Sequence, residues 1–235
     1  MAKKKAAGLT NLERFGGTIF FVFYLLLLPL AAEPLLRLAG ELLGRNLTGN
    51  LGSVIYYYSL FAVTVILFHS LLAKTTRRFL DNPALALKTA AAGMVAHYGL
   101  CELASRLSAL VADRGGNLND SAISTQIGNA PHMTLLIVLF LAPFVEETLF
   151  RGLVFGGLKE RSRLLAYAAS CALFALLHVW QFALAGRDPA YFLRMLQYLI
   201  PGLVLAWAYE HAGTLWAPIA LHAGINALSV LSGLL

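Results

Sequence analysis

Charge is what this sequence has least of. Only 13% of its 235 residues are Asp, Glu, Lys or Arg, where a soluble domain carries roughly 25%, so a water-facing globule of this length is excluded. Cysteine is scarcer still. Cys101 and Cys171 are the only two and build no disulfide framework; each sits in an apolar stretch, where a thiol packs as a small hydrophobe. No internal repeat or Gly-X-Y period is present, which removes solenoids and fibres. A basic domain is also lacking, so no nucleic-acid partner is expected. The net charge of +6 comes instead from short clusters between apolar runs, such as Lys3 to Lys5, Arg77 with Arg78, and Lys159 with Arg161 and Arg163. What is abundant is hydrocarbon, at 59% of residues and a mean hydropathy of +0.71. The composition implies an all-α, polytopic transmembrane helix bundle with the lipid bilayer as its surroundings.

A helix needs about 20 apolar residues to cross a hydrocarbon core roughly 30 Å thick. Such runs fall at 16–39, 51–73, 83–111, 131–158, 164–184, 190–209 and 215–234. They predict about seven spans, six to eight allowing for the weaker first and third, in a single domain over 1–235. An N-terminus in the cytoplasm puts nearly all basic loop clusters inside, including 74–81 and 159–163, and makes the polar segment 113–130 an outer loop. The charged stretch from Lys3 to Arg14 has the form of a signal-peptide n-region. No small-residue cleavage site follows it, so the first run is expected to remain as a span. Thr10 to Gly17 reads as an amphipathic helix on the inner leaflet.

A charged side chain at the centre of a span costs at least about 2.5–3.5 kcal/mol. Those that occur there pair with one another, face the bundle interior or perform a function. They concentrate in the second half of the chain: Glu146, Glu147 and Arg151 in the fourth run, His178 in the fifth, His222 and Asn226 in the seventh. Glu147 and Arg151 are four apart with the acid first, the favourable order for a same-face ion pair. Glu146 lies about 100° further round the helix and needs a partner from elsewhere. His222 and Asn226 share one face, and all four of Glu146, His178, His222 and Asn226 fall near mid-depth.

A carboxylate beside a histidine can hold and deprotonate a water. A second His and an amide can stabilise the oxyanion formed when that water attacks a carbonyl. There is no Ser-His-Asp arrangement, no catalytic Cys and no His-Glu-x-x-His helix. Glu146, His178 and His222 can equally hold a divalent metal such as zinc with an open water position. The residues therefore permit both a metal-bound water and a reaction needing no cofactor.

Three stretches, in order and on separate runs, match a known pattern. Glu146-Glu147-Thr148-Leu149-Phe150-Arg151 resembles the EExxxR motif of the CPBP intramembrane proteases, also called the ABI or type II CAAX prenyl endopeptidase family. Phe174 to His178 resembles that family's FxxxH motif, and His222 to Asn226 its HxxxN motif. The resemblance covers residues 134–228, a motif-bearing protease core. It implies a membrane endopeptidase acting on membrane proteins or peptides, prenylated or CaaX-like ones among them. In it Glu146 and His178 activate water, His222 and Asn226 line the oxyanion site, and Glu147 and Arg151 support them.

Two other classes fit the composition: a bacteriocin-immunity-type membrane protein without enzymatic activity, and a proton-coupled transporter. The transporter reading lacks the internal symmetry common in such folds. Remaining features read as structural. Tyr56 to Tyr58 look like interfacial anchors, His69 and His97 like packing residues, and Glu210-His211 like an interfacial pair. Gly152, Gly156 and Gly157 look like sites of close helix approach. The expected location is a bacterial plasma membrane.

Overall fold

The computed structural model describes residues 8–47, 49–108, 130–187 and 189–234, and among them every regular element is a helix. The fold is an all-α bundle. The expected outer loop lies outside the described residues apart from Ala130.

Helix α1 (Asn11–Leu43) begins at a capping box. The Thr10 hydroxyl accepts from the Glu13 N–H and the Glu13 carboxylate from the Thr10 N–H, at 3.2 and 2.8 Å. The helix runs through Pro34 and contains a π-helical turn at Phe23–Leu27. It ends at Gly44, whose φ of 60° is a left-handed C-terminal cap. Helix α2 is Gly49–Leu67. After a break at Phe68 the segment expected to be an inner loop is instead an amphipathic helix, α3 (His69–Asp81). Leu71 and Thr75 are four apart and buried, Arg77 is exposed, and Arg78 reaches back into the bundle to donate to the Gly213 carbonyl at 3.1 Å. A distant side chain completes this helix's start. The buried Glu13 carboxylate accepts from the Leu71 N–H at 2.6 Å, a donor the Phe68 side chain has no means to satisfy. Helix α4 (Pro83–Ser108) follows.

The second half comprises α5 (Pro131–Lys159), α6 (Arg163–Leu177), α7 (Trp180–Gly186), a 3-10 turn at Pro189–Arg194, α8 (Met195–Ala212) and α9 (Trp216–Leu234). Among the described residues all seven expected apolar runs are therefore largely helical. By length and composition α1, α2, α5 and the rod Tyr191–Ala212 can each cross a membrane; α6 and α7, bent by 40°, make a fifth if taken as one span. The apolar part of α9, Trp216–Ser232, is shorter. The chain is an integral membrane protein.

Helix α5 is the axis of the bundle. It lies antiparallel to α1, with Gly17 against Leu153 and the rings of Phe21 and Phe150 edge-on at 5.2 Å. Helix α6 joins it through the Ser170 hydroxyl, which donates to the Phe150 carbonyl at 3.0 Å. Of the three glycines following the acidic motif, Gly152 sits in a close approach, where a Cβ would lie 2.7 Å from Leu71 Cδ2. Gly202 on α8 does the same against α6, since a Cβ there would lie 3.3 Å from the Cys171 Cα. At one end Glu210 gathers Lys159, Arg163 and the Tyr167 hydroxyl, at 3.1, 2.9 and 2.7 Å, clamping α5, α6 and α8 together. His211 has no part in that clamp and stacks on Trp207.

Candidate active site

Residues Glu146 and Glu147 end the ordinary α-helical part of α5, and a π-helical stretch, Thr148–Phe155, begins directly after them. Such widened turns recur at functional sites. Glu147 and Arg151 are both fully buried and paired at 2.9 Å, as their spacing predicts. Arg151 also donates to the Gly202 carbonyl at 3.1 Å, and its guanidinium carbon lies 4.5 Å from the centre of the Phe174 ring. The sequence left open what else Glu147 does. Its Oε1 accepts from His222 Nδ1 at 2.8 Å, so one carboxylate oxygen ties α5 to α9 and orients the imidazole.

His178 stands where α6 stops. Its backbone N–H turns to the Leu176 carbonyl, leaving the Phe174 carbonyl without its usual helical donor. The ring supplies one: Nδ1–H donates to that carbonyl at 2.8 Å. The proton is thereby placed on Nδ1, and the Nε2 lone pair faces Glu146 Oε2 at 3.9 Å. Tyr198 stacks on the ring, with the two ring centres 4.6 Å apart. The 40° bend between α6 and α7 falls here, so the break in the helix and the placing of the histidine are one feature.

Asn226 is held by a second irregularity. In the π-helical turn Ile137–Leu141 the Ala142 N–H bonds to the Ile137 carbonyl, which moves the ladder one residue on. Val138 would then need a donor at Pro143, and proline has none. The Asn226 amide fills the gap, donating to the Val138 carbonyl at 2.8 Å.

Glu146 is almost wholly buried, and its Oε2 has no hydrogen-bond partner. The structure brings it together with His178, and His222 and Arg151 lie within electrostatic reach. Among the described residues no three His, Cys, Asp or Glu side chains converge to hold a metal ion, Glu146, His178 and His222 included. Near the site lie two tyrosines that the sequence reads as interfacial anchors, Tyr56 and Tyr57, and a third, Tyr24, that it does not single out. Tyr24 on α1 is buried in the same core cluster as Phe144 and Phe150, Tyr56 and Tyr57 on α2 pack against that cluster, and all three phenols lie within electrostatic reach of Glu146. Only Tyr58 of that trio is exposed, as an interfacial anchor would be. His97 is buried beside Tyr98, with its ring 3.9 Å from Cys101 Sγ.

The stretch that carries these residues is similar to known proteins. Residues 128–228 match the model of the Rce1-like type II CAAX prenyl endopeptidases. An uncharacterised 24.3 kDa protein of Escherichia coli is 32% identical over 101 residues, covering 43% of this chain and 44% of that protein. The UPF0177 protein YxdF of Lactococcus lactis subsp. lactis (strain IL1403) is 26% identical over 109 residues, 46% of this chain and 55% of that one. The chain thus spans about half the length of the curated relatives it matches. No solved structure matches it. The matched segment contains Glu146, Glu147, Arg151, His178, His222 and Asn226, so the candidate site lies wholly within the stretch that resembles the Rce1-like type II CAAX prenyl endopeptidases.

Proposed function

We propose that the protein is an intramembrane endopeptidase that hydrolyses peptide bonds of membrane-associated proteins or peptides, prenylated or CaaX-like ones among them. The observation that carries this is the facing pair His178 Nε2 and Glu146 Oε2, 3.9 Å apart, with His178 Nδ1 already committed to a carbonyl. A water about 2.8 Å from both atoms would be oriented by the imidazole and deprotonated by the carboxylate. Attack on the peptide carbonyl then moves charge onto its oxygen, and Glu146 passes the proton to the leaving amine. The second N–H of the Asn226 amide, and His222 Nε2 when it is protonated, are the donors for that oxygen. Glu147 and Arg151 keep His222 in place.

An apolar groove of about 460 Å³ lies between α1 and α2, lined by Phe20, Phe23, Leu28, Leu60 and Val63, and reaches Tyr56 beside the carboxylate. It suits a hydrocarbon substituent near the scissile bond. We place the protein in a bacterial plasma membrane with its N-terminus in the cytoplasm, following the basic clusters.

The test uses the purified chain in liposomes with quenched-fluorescent peptides carrying or lacking a farnesylated cysteine. Cleavage by the wild type should fall at least about 100-fold in Glu146→Gln, the smallest effect expected on losing a general base. Undiminished cleavage by Glu146→Ala would sink the proposal.

A further inference from the structure

We infer that Tyr198, on α8 and in none of the three sequence motifs, is a positioning residue: its ring, stacked on the His178 imidazole, holds the plane of that imidazole so that Nε2 stays aimed at Glu146. The catalytic part of this rests on the peptidase reading above.

His178 caps the end of α6, and α7 does not begin until Trp180. One hydrogen bond, from Nδ1–H to the Phe174 carbonyl at 2.8 Å, fixes one atom of its ring. Such a bond sets a distance but tolerates a broad range of angles at the carbonyl, so the ring can tilt about it. Nε2 lies across the ring from that anchor. A tilt that leaves the bond intact therefore still swings the lone pair away from Glu146 Oε2, 3.9 Å off.

Two aromatic rings meet the imidazole. Phe174, one turn earlier on the same helix, touches it obliquely, with centres 4.6 Å apart and planes at 48°. Tyr198 comes from a different helix and lies nearly parallel, with centres 4.6 Å apart and planes at 25°. Stacking of this kind is a favoured geometry for aromatic pairs, and it opposes tilt, because tilting drives an edge of the imidazole into the phenol face. Tyr198 can serve as such a wall because it is itself fixed. It is 6% exposed and belongs to the same core cluster as Phe174 and Val179. Gly202, four residues on and on the same face of α8, lies against α6, where a Cβ would be 3.3 Å from the Cys171 Cα, and its carbonyl accepts from Arg151. The close approach that joins α8 to α6 thus also delivers the phenol ring to His178.

The experiment compares the full-length wild type with Tyr198→Phe, which keeps the flat face, and Tyr198→Leu, which loses it, all in liposomes. Trp207→Leu is the control: it removes from the same helix a ring stacked on His211, with centres 5.3 Å apart. Solid-state NMR on isotope-labelled histidine reads the order parameter of the His178 ring, assigned by its loss in His178→Gln. It should fall from about 0.85, the value of a rigid site, to below about 0.7 in Tyr198→Leu, and stay at the wild-type level in Tyr198→Phe and Trp207→Leu. In the peptide assay, run below every thermal midpoint, kcat should drop about tenfold in Tyr198→Leu at unchanged KM, short of the roughly 100-fold that an ångström of misplacement can cost. Tyr198→Phe should keep the wild-type kcat, a rescue that a role for the hydroxyl would not allow. If Tyr198→Leu does not fold, Tyr198→Met takes its place. An unchanged ring order parameter or unchanged kcat in the aliphatic variant, or a Tyr198→Phe as impaired as that variant, overturns the inference. Absence of Glu146-dependent cleavage by the wild type counts against the peptidase reading instead, and the ring order then decides the positioning alone.

Discussion

Helices α1 and α5 are both long and apolar enough to cross a membrane, yet they occupy opposite places in the fold. Of the 18-residue stretch that qualifies each as a span, 72% is buried in α5 and 17% in α1. Lipid and protein core are equally apolar, so hydropathy alone does not separate a central helix from a peripheral one. What separates them is distributed polarity. Helix α5 carries Glu146, Glu147, Thr148 and Arg151, all buried, over more than half of its circumference. It therefore needs partners all round, and α1, α6, α8 and α9 supply them. Helix α1 offers the protein a single stripe and turns the rest of its surface outward.

If that contrast is right, the largest effect should come from the centre of α5. Arg151→Met removes the fork that joins Glu147, the Gly202 carbonyl and the Phe174 ring, and leaves Glu147 buried with only His222. Stranding one partner of a buried ion pair costs about 3–5 kcal/mol. Thermal unfolding in detergent should record a loss of that size. Adding Glu147→Gln to the same protein should restore part of it, because the stranded charge is then gone.

These central residues are legible in the sequence because charge in hydrocarbon is expensive and so stands out. The ion pair from Glu147 to Arg151 follows from spacing alone, and its burial confirms the geometry. Pairings between helices are not legible, since periodicity fixes a face but not which helix it meets. That His222 turns to Glu147, and Asn226 to the Val138 carbonyl, depends on register and on a π-helical turn ahead of Pro143. The proline is the available signal. Tyr24 carries none, because a phenol within an apolar run gives no sign that a carboxylate lies near it. Helix α3 reads as a loop because its cations draw attention from Leu71 and Thr75, which share one helical face.

Two smaller perturbations sharpen the contrast from either side. Gly202→Val on α8 would push a side chain toward the Cys171 backbone, where a Cβ already lies at 3.3 Å, and would move the carbonyl that Arg151 uses. Overpacking of this kind costs about 1–3 kcal/mol, which should appear as a lowered unfolding midpoint. Glu13→Gln tests the one place where α1 itself carries a buried charge. The amide keeps one acceptor oxygen where the carboxylate uses two, so either the Leu71 or the Thr10 N–H loses its partner, and the loss should be about 1–3 kcal/mol. Hydrogen exchange at the Leu71 amide should quicken in that variant and be unaffected by Gly202→Val.

The smallest effect belongs to the outward surface of α1. Leu30 is 54% exposed within the bundle, and a membrane places lipid over that face. Leu30→Ala trades methyl groups that touch lipid in the folded bundle for ones that would also touch lipid if α1 were inserted but undocked. The two states lose nearly the same contacts, so the change should stay within about 0.5 kcal/mol, as for other surface substitutions. The same deletion made in water would expose no comparable symmetry, because there the undocked leucine meets solvent. A loss well above about 0.5 kcal/mol for Leu30→Ala in liposomes would mean that this face is covered by protein and that α1 is as central as α5.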